Sequence, residues 1–162
     1  LKKIKDYTDL INESLKFRRS AGLAIVWKGK VLLVHTTGRS FKKGYGIPKG
    51  GVEPNENDLE AAVRETFEET GLRIPLDLIN KEPNTFVVTS RKHKYNKVVS
   101  YFIVELDSLS QVGLKRSKVP TSQLQVKEVD AARFFNSREA YTVIMKSQID
   151  LLNRLVNKGL LQ

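Results

Sequence analysis

Apolar positions along this chain switch between dense or alternating short runs and three stretches with a spacing near 3.6, the pattern of an α+β protein. Residues 21–27 and 30–36 read as paired strands around Lys28-Gly29, a hairpin signal. Residues 37–46 form a polar, glycine-containing loop, and 47–50 a short extended entry into a helix. Residues 85–89 and 97–106 hold the β-branched and aromatic side chains of strands, and 127–135 reads as a final strand. An amphipathic helix is predicted over 4–17, with Ile4, Tyr7, Leu10, Ile11 and Leu15 on one side. A C-terminal helix opens at Ser137 as N-cap and carries Ala140, Val143, Ile144, Ser147, Leu151 and Leu155 on one stripe. Residues 75–83 have no readable period. No repeat or linker divides the chain, so 1–162 is expected to be one domain.

The central helix is the best marked. Asn57 can cap its start, Asp58 and Glu60 suit the first turn, and Gly71 suits the left-handed residue that ends it. Leu59, Ala62, Val63, Thr66, Phe67 and Thr70 fall on a packing stripe. Glu65, Glu68 and Glu69 then gather on one side, because residues three and four apart face the same way. Three carboxylates held together repel unless a cation joins them, and hard oxygen ligands suit Mg²⁺ or Mn²⁺. A solvated acidic helix face is the alternative on the triplet alone.

The full spacing decides between them. Gly50, Glu56 and the run Arg64-Glu65-Thr66-Phe67-Glu68-Glu69-Thr70-Gly71-Leu72 resemble the Nudix box, G-x5-E-x7-R-E-U-x-E-E-x-G-U with U aliphatic. Every charged and glycine position is filled, and Thr66 is the one departure. The resemblance implies an α/β/α sandwich with a mixed sheet between helices. It implies a Mg²⁺-dependent hydrolase in which water attacks a phosphorus of a pyrophosphate. Carried over by position, Glu68 and Glu69 become metal ligands and Glu65 a further ligand or the general base. The Lys49 carbonyl becomes an additional ligand, and Arg64 the group that holds a glutamate in its ligating rotamer. Glu56 is read as structural, serving backbone donors at the helix start. Gly50 and Gly51 are read as permitting a tight turn. A late glutamate often reaches the metals or acts as base in similar proteins, and Glu128 is the candidate, with Glu105 competing.

Substrate choice leaves more open. The sequence PKGGVEPNE, with VVSYFIVEL and KEVDAARFF, looks most like the small diadenosine tetraphosphate hydrolases of the family. Dinucleoside polyphosphates are therefore the first expectation, with Lys49, Gly50, Arg39, Lys43, Tyr45 and Tyr101 as substrate-binding candidates. Tyr101 and Phe102 point to opposite sheet faces, so at most one can stack on a base. RNA 5′ ends, nucleoside triphosphates and diphosphoinositol polyphosphates remain alternatives, as does a non-catalytic nucleotide- or RNA-binding module of the same fold.

Composition narrows the setting. A net charge of +10, with acids concentrated near the box, leaves a basic surface that draws polyanions. The tightest basic clusters are residues 91–97 and 115–118. The absence of cysteine excludes disulfides and thiolate metal sites. His35 and His93 have no metal-ligand spacing and read as incidental. No apolar run approaches the roughly 20 residues of a membrane helix, and the basic N-terminus lacks a secretory pattern, so a cytoplasmic location is expected.

Overall fold

The computed structural model describes residues 17–89 and 96–162, so the helix expected over 4–17 lies outside the described residues apart from Phe17. Phe17 already belongs to β1 (Phe17–Trp27), which turns back into β2 (Lys30–Thr36). The turn is Lys28-Gly29, both with positive φ (47° and 73°), the backbone that matches the twist of a two-residue hairpin. β3 (Tyr45–Gly46) and β4 (Lys49–Gly51) are short. They lead to α1 (Asp58–Thr70), then β5 (Asn84–Thr89), β6 (Asn96–Leu106) and β7 (Val129–Phe135). Two helices, α2 (Ser137–Val143) and α3 (Ile149–Asn157), close the chain.

The seven strands form one mixed sheet in the order β3-β2-β1-β6-β5, with β4 added to β1 and β7 to β2. β1 and β6 run parallel from Phe17 opposite Asn96 to Trp27 opposite Leu106, and the other pairings are antiparallel. Both faces are covered, which is why β1 and β2 read as nearly continuous apolar runs. On one face Leu23, Ile25, Leu32, Phe102 and Val104 pack with Ala61 and Ala62 of α1. On the other, Ala24, Val26, Leu33, Tyr101 and Ile103 pack with Ala140, Leu151, Leu152 and Leu155 of α2 and α3. This is the expected α/β/α arrangement. Among the described residues no helix is long and apolar enough to cross a membrane.

The single C-terminal helix expected from Ser137 is instead two. Asn136, not Ser137, is the N-cap and accepts from the Glu139 amide at 2.9 Å. The helix stops where Ile144 and Met145 become extended, and the Met145 amide bonds to the Tyr45 carbonyl at 2.9 Å. A 3-10 turn follows (Lys146–Gln148). The break carries Gln148 inward, where its side-chain oxygen accepts from the buried Ile47 amide at 2.7 Å. An unpaired buried amide costs about 1–3 kcal/mol, so satisfying Ile47 helps to outweigh helix continuity.

One topological detail places the site. β1 and β2 pair only beside their turn, at Val26–Val31 and Trp27–Lys30. Farther on they diverge: β4 takes over β1 at Ser20–Gly22, while β3 and β7 occupy the two sides of β2. The mouth of the molecule lies in that divergence.

Candidate active site

Local chemistry fixes both ends of α1. Asn57 accepts from the Glu60 amide at 2.8 Å, and the Glu60 carboxylate returns to the Asn57 amide at 3.2 Å, a reciprocal cap. Gly71 is left-handed (φ 71°) and donates to the Phe67 carbonyl at 2.8 Å. A Cβ there would also lie 3.1 Å from Gln123, so the position requires glycine on two counts.

The buried face of α1 is Ala61, Ala62, Thr66, Glu69 and Thr70. Phe67, expected on that stripe, is 41% exposed, its ring covered by the Arg73 guanidinium at 4.4 Å. The small residues let the helix approach β1 closely, and Phe67 falls outside the contact. Thr66, the departure from the box, is fully buried and satisfies its hydroxyl on the Ala62 carbonyl at 2.8 Å. Its methyl therefore takes the aliphatic role without leaving a polar atom unpaired.

Arg64 is the hub of the carboxylates. Its Nε and Nη2 donate to Glu56 at 2.8 and 2.9 Å, and Nη2 also donates to the Gly51 carbonyl at 2.9 Å. Nη1 donates to Glu65 at 2.9 Å and to Glu68 at 3.1 Å. The bidentate pair thus goes to Glu56, not to a member of the triplet. Glu56 does accept from the Glu53 amide at 3.0 Å, as a structural residue should, but it also clamps Arg64. The Arg64 hydrogen bonds, helped by that amide, hold the Glu56 carboxyl down at about 2.

Gly50 has its own reason. A Cβ on it would fall 2.1 Å from the Glu65 carboxyl carbon, so the carboxylate lies directly on the glycine backbone. Neither Gly50 nor Gly51 has positive φ, and Gly51 faces open space. The expected tight turn is therefore replaced by a close approach at Gly50 alone.

Glu69 occupies the deepest position. It is 8% exposed, and its Oε2 is buried without a hydrogen-bond partner among the described residues. Burial first, then Glu65 and Glu128, push its carboxyl up to about 8, against the pull of Lys49 and its backbone amide. Burial also raises Glu65 and lowers the Lys49 ammonium, to which Lys97 adds repulsion. A cleft of about 380 Å³ opens over Glu69, Lys49 and Glu128. Its floor is Lys49, Glu69, Lys127 and Glu128, and its apolar walls include Val34, Ile47, Val129 and Met145.

Other expected site residues fall differently. Tyr45 is buried, edge-on to Phe135 with ring centres 4.9 Å apart, and Tyr101 is only 3% exposed beside Phe86 at 6.1 Å. Phe102 is buried on the opposite face. None of the three offers a free ring face for a base, because the α2–α3 layer and the α1 layer cover them. Arg39 and Lys43 lie on the exposed loop between β2 and β3: Arg39 is near enough to repel Lys49, and Lys43 donates to the Tyr141 carbonyl at 3.1 Å. Glu105 sits opposite Val26, beside the hairpin turn and away from the cleft, whereas Glu128 lines it.

Three contributors escaped the sequence. Met145 and Gln148 enter the cleft only because the C-terminal helix breaks. His35, read as incidental, is buried with Nδ1 2.5 Å from Asp130 and its ring stacked on Phe41 at 3.8 Å. With the Thr37 amide bonded to the Glu128 carbonyl at 3.0 Å, it fixes the segment that carries Glu128.

Comparison with known proteins agrees with the box. The NUDIX domain model matches residues 16–154, and the chain belongs to that family. An RNA pyrophosphohydrolase of Bartonella henselae is 38% identical over 68 residues, covering 37% of this chain and 39% of the relative. The asymmetrical bis(5′-nucleosyl)-tetraphosphatase of Rattus norvegicus is 43% identical over 63 residues, covering 36% and 40%. These matches span about two-fifths of the curated relatives' length. Among solved structures, a C. elegans Ap4A hydrolase complex superposes with a TM-score of 0.62 at 22% identity, covering 88% of this chain and 97% of that one, a likeness of fold.

The family generally uses a divalent metal, commonly Mg²⁺. The donors here suit one: a buried carboxylate oxygen lacks a partner, and three acids load one corner with negative charge. No preassembled cage of acidic or histidine side chains exists among the described residues, since Arg64 engages both Glu65 and Glu68.

Proposed function

We propose that this protein is a Mg²⁺-dependent pyrophosphohydrolase acting on a nucleoside 5′-polyphosphate, with the triphosphorylated 5′ end of RNA as its preferred substrate. One observation carries the reading: the partnerless Glu69 oxygen, Lys49 and Glu128 meet on the floor of a cleft walled by apolar side chains. Glu65, Glu68, Glu69 and the Lys49 carbonyl would hold the metal, and Mn²⁺ suits the same oxygens. When bound, the metal supplies an acidified water and offsets charge on the phosphoryl oxygens.

The chain's own residues perform the rest. The Glu128 carboxylate lines the cleft and forms no ion pair among the described residues, and it takes the proton of the attacking water. As the water oxygen bonds to phosphorus, the anhydride P–O bond breaks and its electron pair leaves with the departing phosphate. The Lys49 ammonium receives the substrate phosphates, with the charge of Arg39 nearby. Arg64 holds Glu65 and Glu68 in place, anchored in turn by Glu56.

RNA is favoured over a second nucleoside because Tyr45 and Tyr101, the expected stacking platforms, are buried, while the surface carries a large positive excess. Dinucleoside polyphosphates are the second reading, supported by the rat tetraphosphatase relative. The test is kcat/KM with Mg²⁺ on 5′-triphosphorylated RNA, diadenosine tetraphosphate, ADP-ribose and nucleoside triphosphates. A preference for the RNA is expected. A tetraphosphate preference by orders of magnitude moves the assignment to the second reading, and no metal-dependent turnover on any of them makes the chain a binding module.

A further inference from the structure

From Ser108 to Lys127 the chain contains no acidic residue, yet it carries Lys115, Arg116, Lys118 and Lys127. The structure shows what this segment builds. Val112, Leu114, Val119 and Leu124 are buried as pins, while Lys115, Arg116 and Lys118 are exposed between them. Backbone bonds fasten the segment: Leu114 to the Leu109 carbonyl at 3.0 Å, Val119 to Ala132 at 2.9 Å, and Phe134 to the Ser117 carbonyl at 2.9 Å. The cations are thus presented from a fixed frame. They line a cleft of about 660 Å³ with Gly113, Val119, Pro120 and Gln123. Among the described residues none of the three forms an ion pair with a carboxylate.

The segment that forms this cleft runs on into the candidate active site. Gln123 packs against Gly71 at the end of α1, and the Gln125 amide donates to the Glu69 carbonyl at 3.3 Å. Lys127 and Glu128 then line the catalytic cleft. From Gln123 to Glu128 the chain spans at most about 18 Å when fully extended. That separation is within the length of a ribose-phosphate chain of a few nucleotides.

We propose that the 113–123 cleft is a binding surface for single-stranded RNA backbone, holding phosphates downstream of the 5′ end. Fixed, unpaired cations on an acid-free segment match the regular negative charge of a polynucleotide, and they recognise it without reading sequence. The proposal deepens the RNA reading of the catalytic site and rests on it for the identity of the chain bound. Its test is separable, because binding is measured without turnover.

The measurement is fluorescence anisotropy with a 20-nucleotide single-stranded RNA bearing a 5′-hydroxyl, at several salt concentrations. Wild type is compared with Lys115→Glu/Lys118→Glu and with Arg138→Glu/Lys158→Glu, which changes charge equally at exposed positions on the α2–α3 side. The first variant is expected to bind at least tenfold more weakly. Its slope of log affinity against log salt should be shallower by about 1.4, two phosphate contacts at about 0.7 each. The second should keep the wild-type slope, and both should keep the wild-type melting temperature. Equal weakening by the two variants, or no weakening by the first, overturns the proposal. So does displacement of the RNA by polyglutamate at equal charge concentration, which would identify an acidic protein partner. If neither RNA nor nucleotides are hydrolysed but the first variant alone loses RNA, the catalytic reading fails and this surface stands.

Discussion

The helices on the two faces of the sheet are built on opposite terms. α3 buries Leu151, Leu152 and Leu155, an apolar face with no polar atom to satisfy. α1 buries two alanines, two threonines and a glutamate, and one oxygen of that glutamate is left unpaired. The first arrangement lowers free energy by removing hydrocarbon from water. The second gives up part of that gain to hold charge where it is unfavourable, a pattern expected where a site awaits a ligand. Substitutions on the two helices should therefore separate stability from chemistry.

The largest separation is expected at Glu69→Gln. Activity should fall about 10³-fold, roughly 4 kcal/mol of transition-state stabilisation, while the protein still folds. The same variant isolates a pH effect in the metal-free protein. An unfolded carboxyl titrates near 4.5 and folded Glu69 at about 8, so the native state holds the proton more tightly. Its contribution to stability is complete below about 4.5 and is lost as pH rises through about 8. Urea midpoints in a chelator should follow that decline in wild type and lose it in Glu69→Gln. A wild-type midpoint that rises over this window would reverse the electrostatic account.

Leu155→Ala should do the converse. Removing this fully buried side chain should cost about 3 kcal/mol of unfolding free energy. The remaining folded fraction should turn over substrate at the wild-type kcat. A change in kcat would mean that the two faces are more tightly coupled than their packing implies.

A smaller contrast lies within the metal loop. Gly50→Ala drives a methyl into the Glu65 carboxylate, which must swing aside, so activity should fall with little loss of stability. Gly51→Ala meets open space and should be nearly neutral in both. Equal effects at the two positions would show that the backbone, and not Glu65, requires the glycine.

The smallest difference concerns the caps. Asn57→Ala breaks a reciprocal cap and should cost about 1 kcal/mol, somewhat more than Asn136→Ala, whose cap is single. Differential scanning calorimetry of the two variants would resolve the ranking.

These regions also differ in how plainly the sequence announced them. α1 was legible to its ends, because Asn57, Glu60 and Gly71 act through bonds to near neighbours. The hairpin at Lys28-Gly29 was legible for the same reason. The carboxylate triplet followed from helical spacing. What escaped depends on contacts distant in sequence: Gln148 serves Ile47, His35 meets Asp130, and Glu105 and Glu128 are told apart only by sheet register. Tyr45 and Tyr101 looked like binding residues because an aromatic side chain has the same pattern whether its ring is open or covered. Covering layers decide that, and they come from elements at the other end of the chain. Phe67 failed in the opposite sense, since a position on the expected stripe lay just beyond the contact.

The parting of β1 and β2 has an evolutionary consequence. Because the gap between them holds Lys49, Glu69 and Glu128 but is walled in part by the Met145–Gln148 turn, the proposed hydrolytic residues and part of the surrounding wall reside on separate lengths of polypeptide. Under the proposed function, a change at that one bend would remodel the wall while leaving the carboxylates of α1 in place.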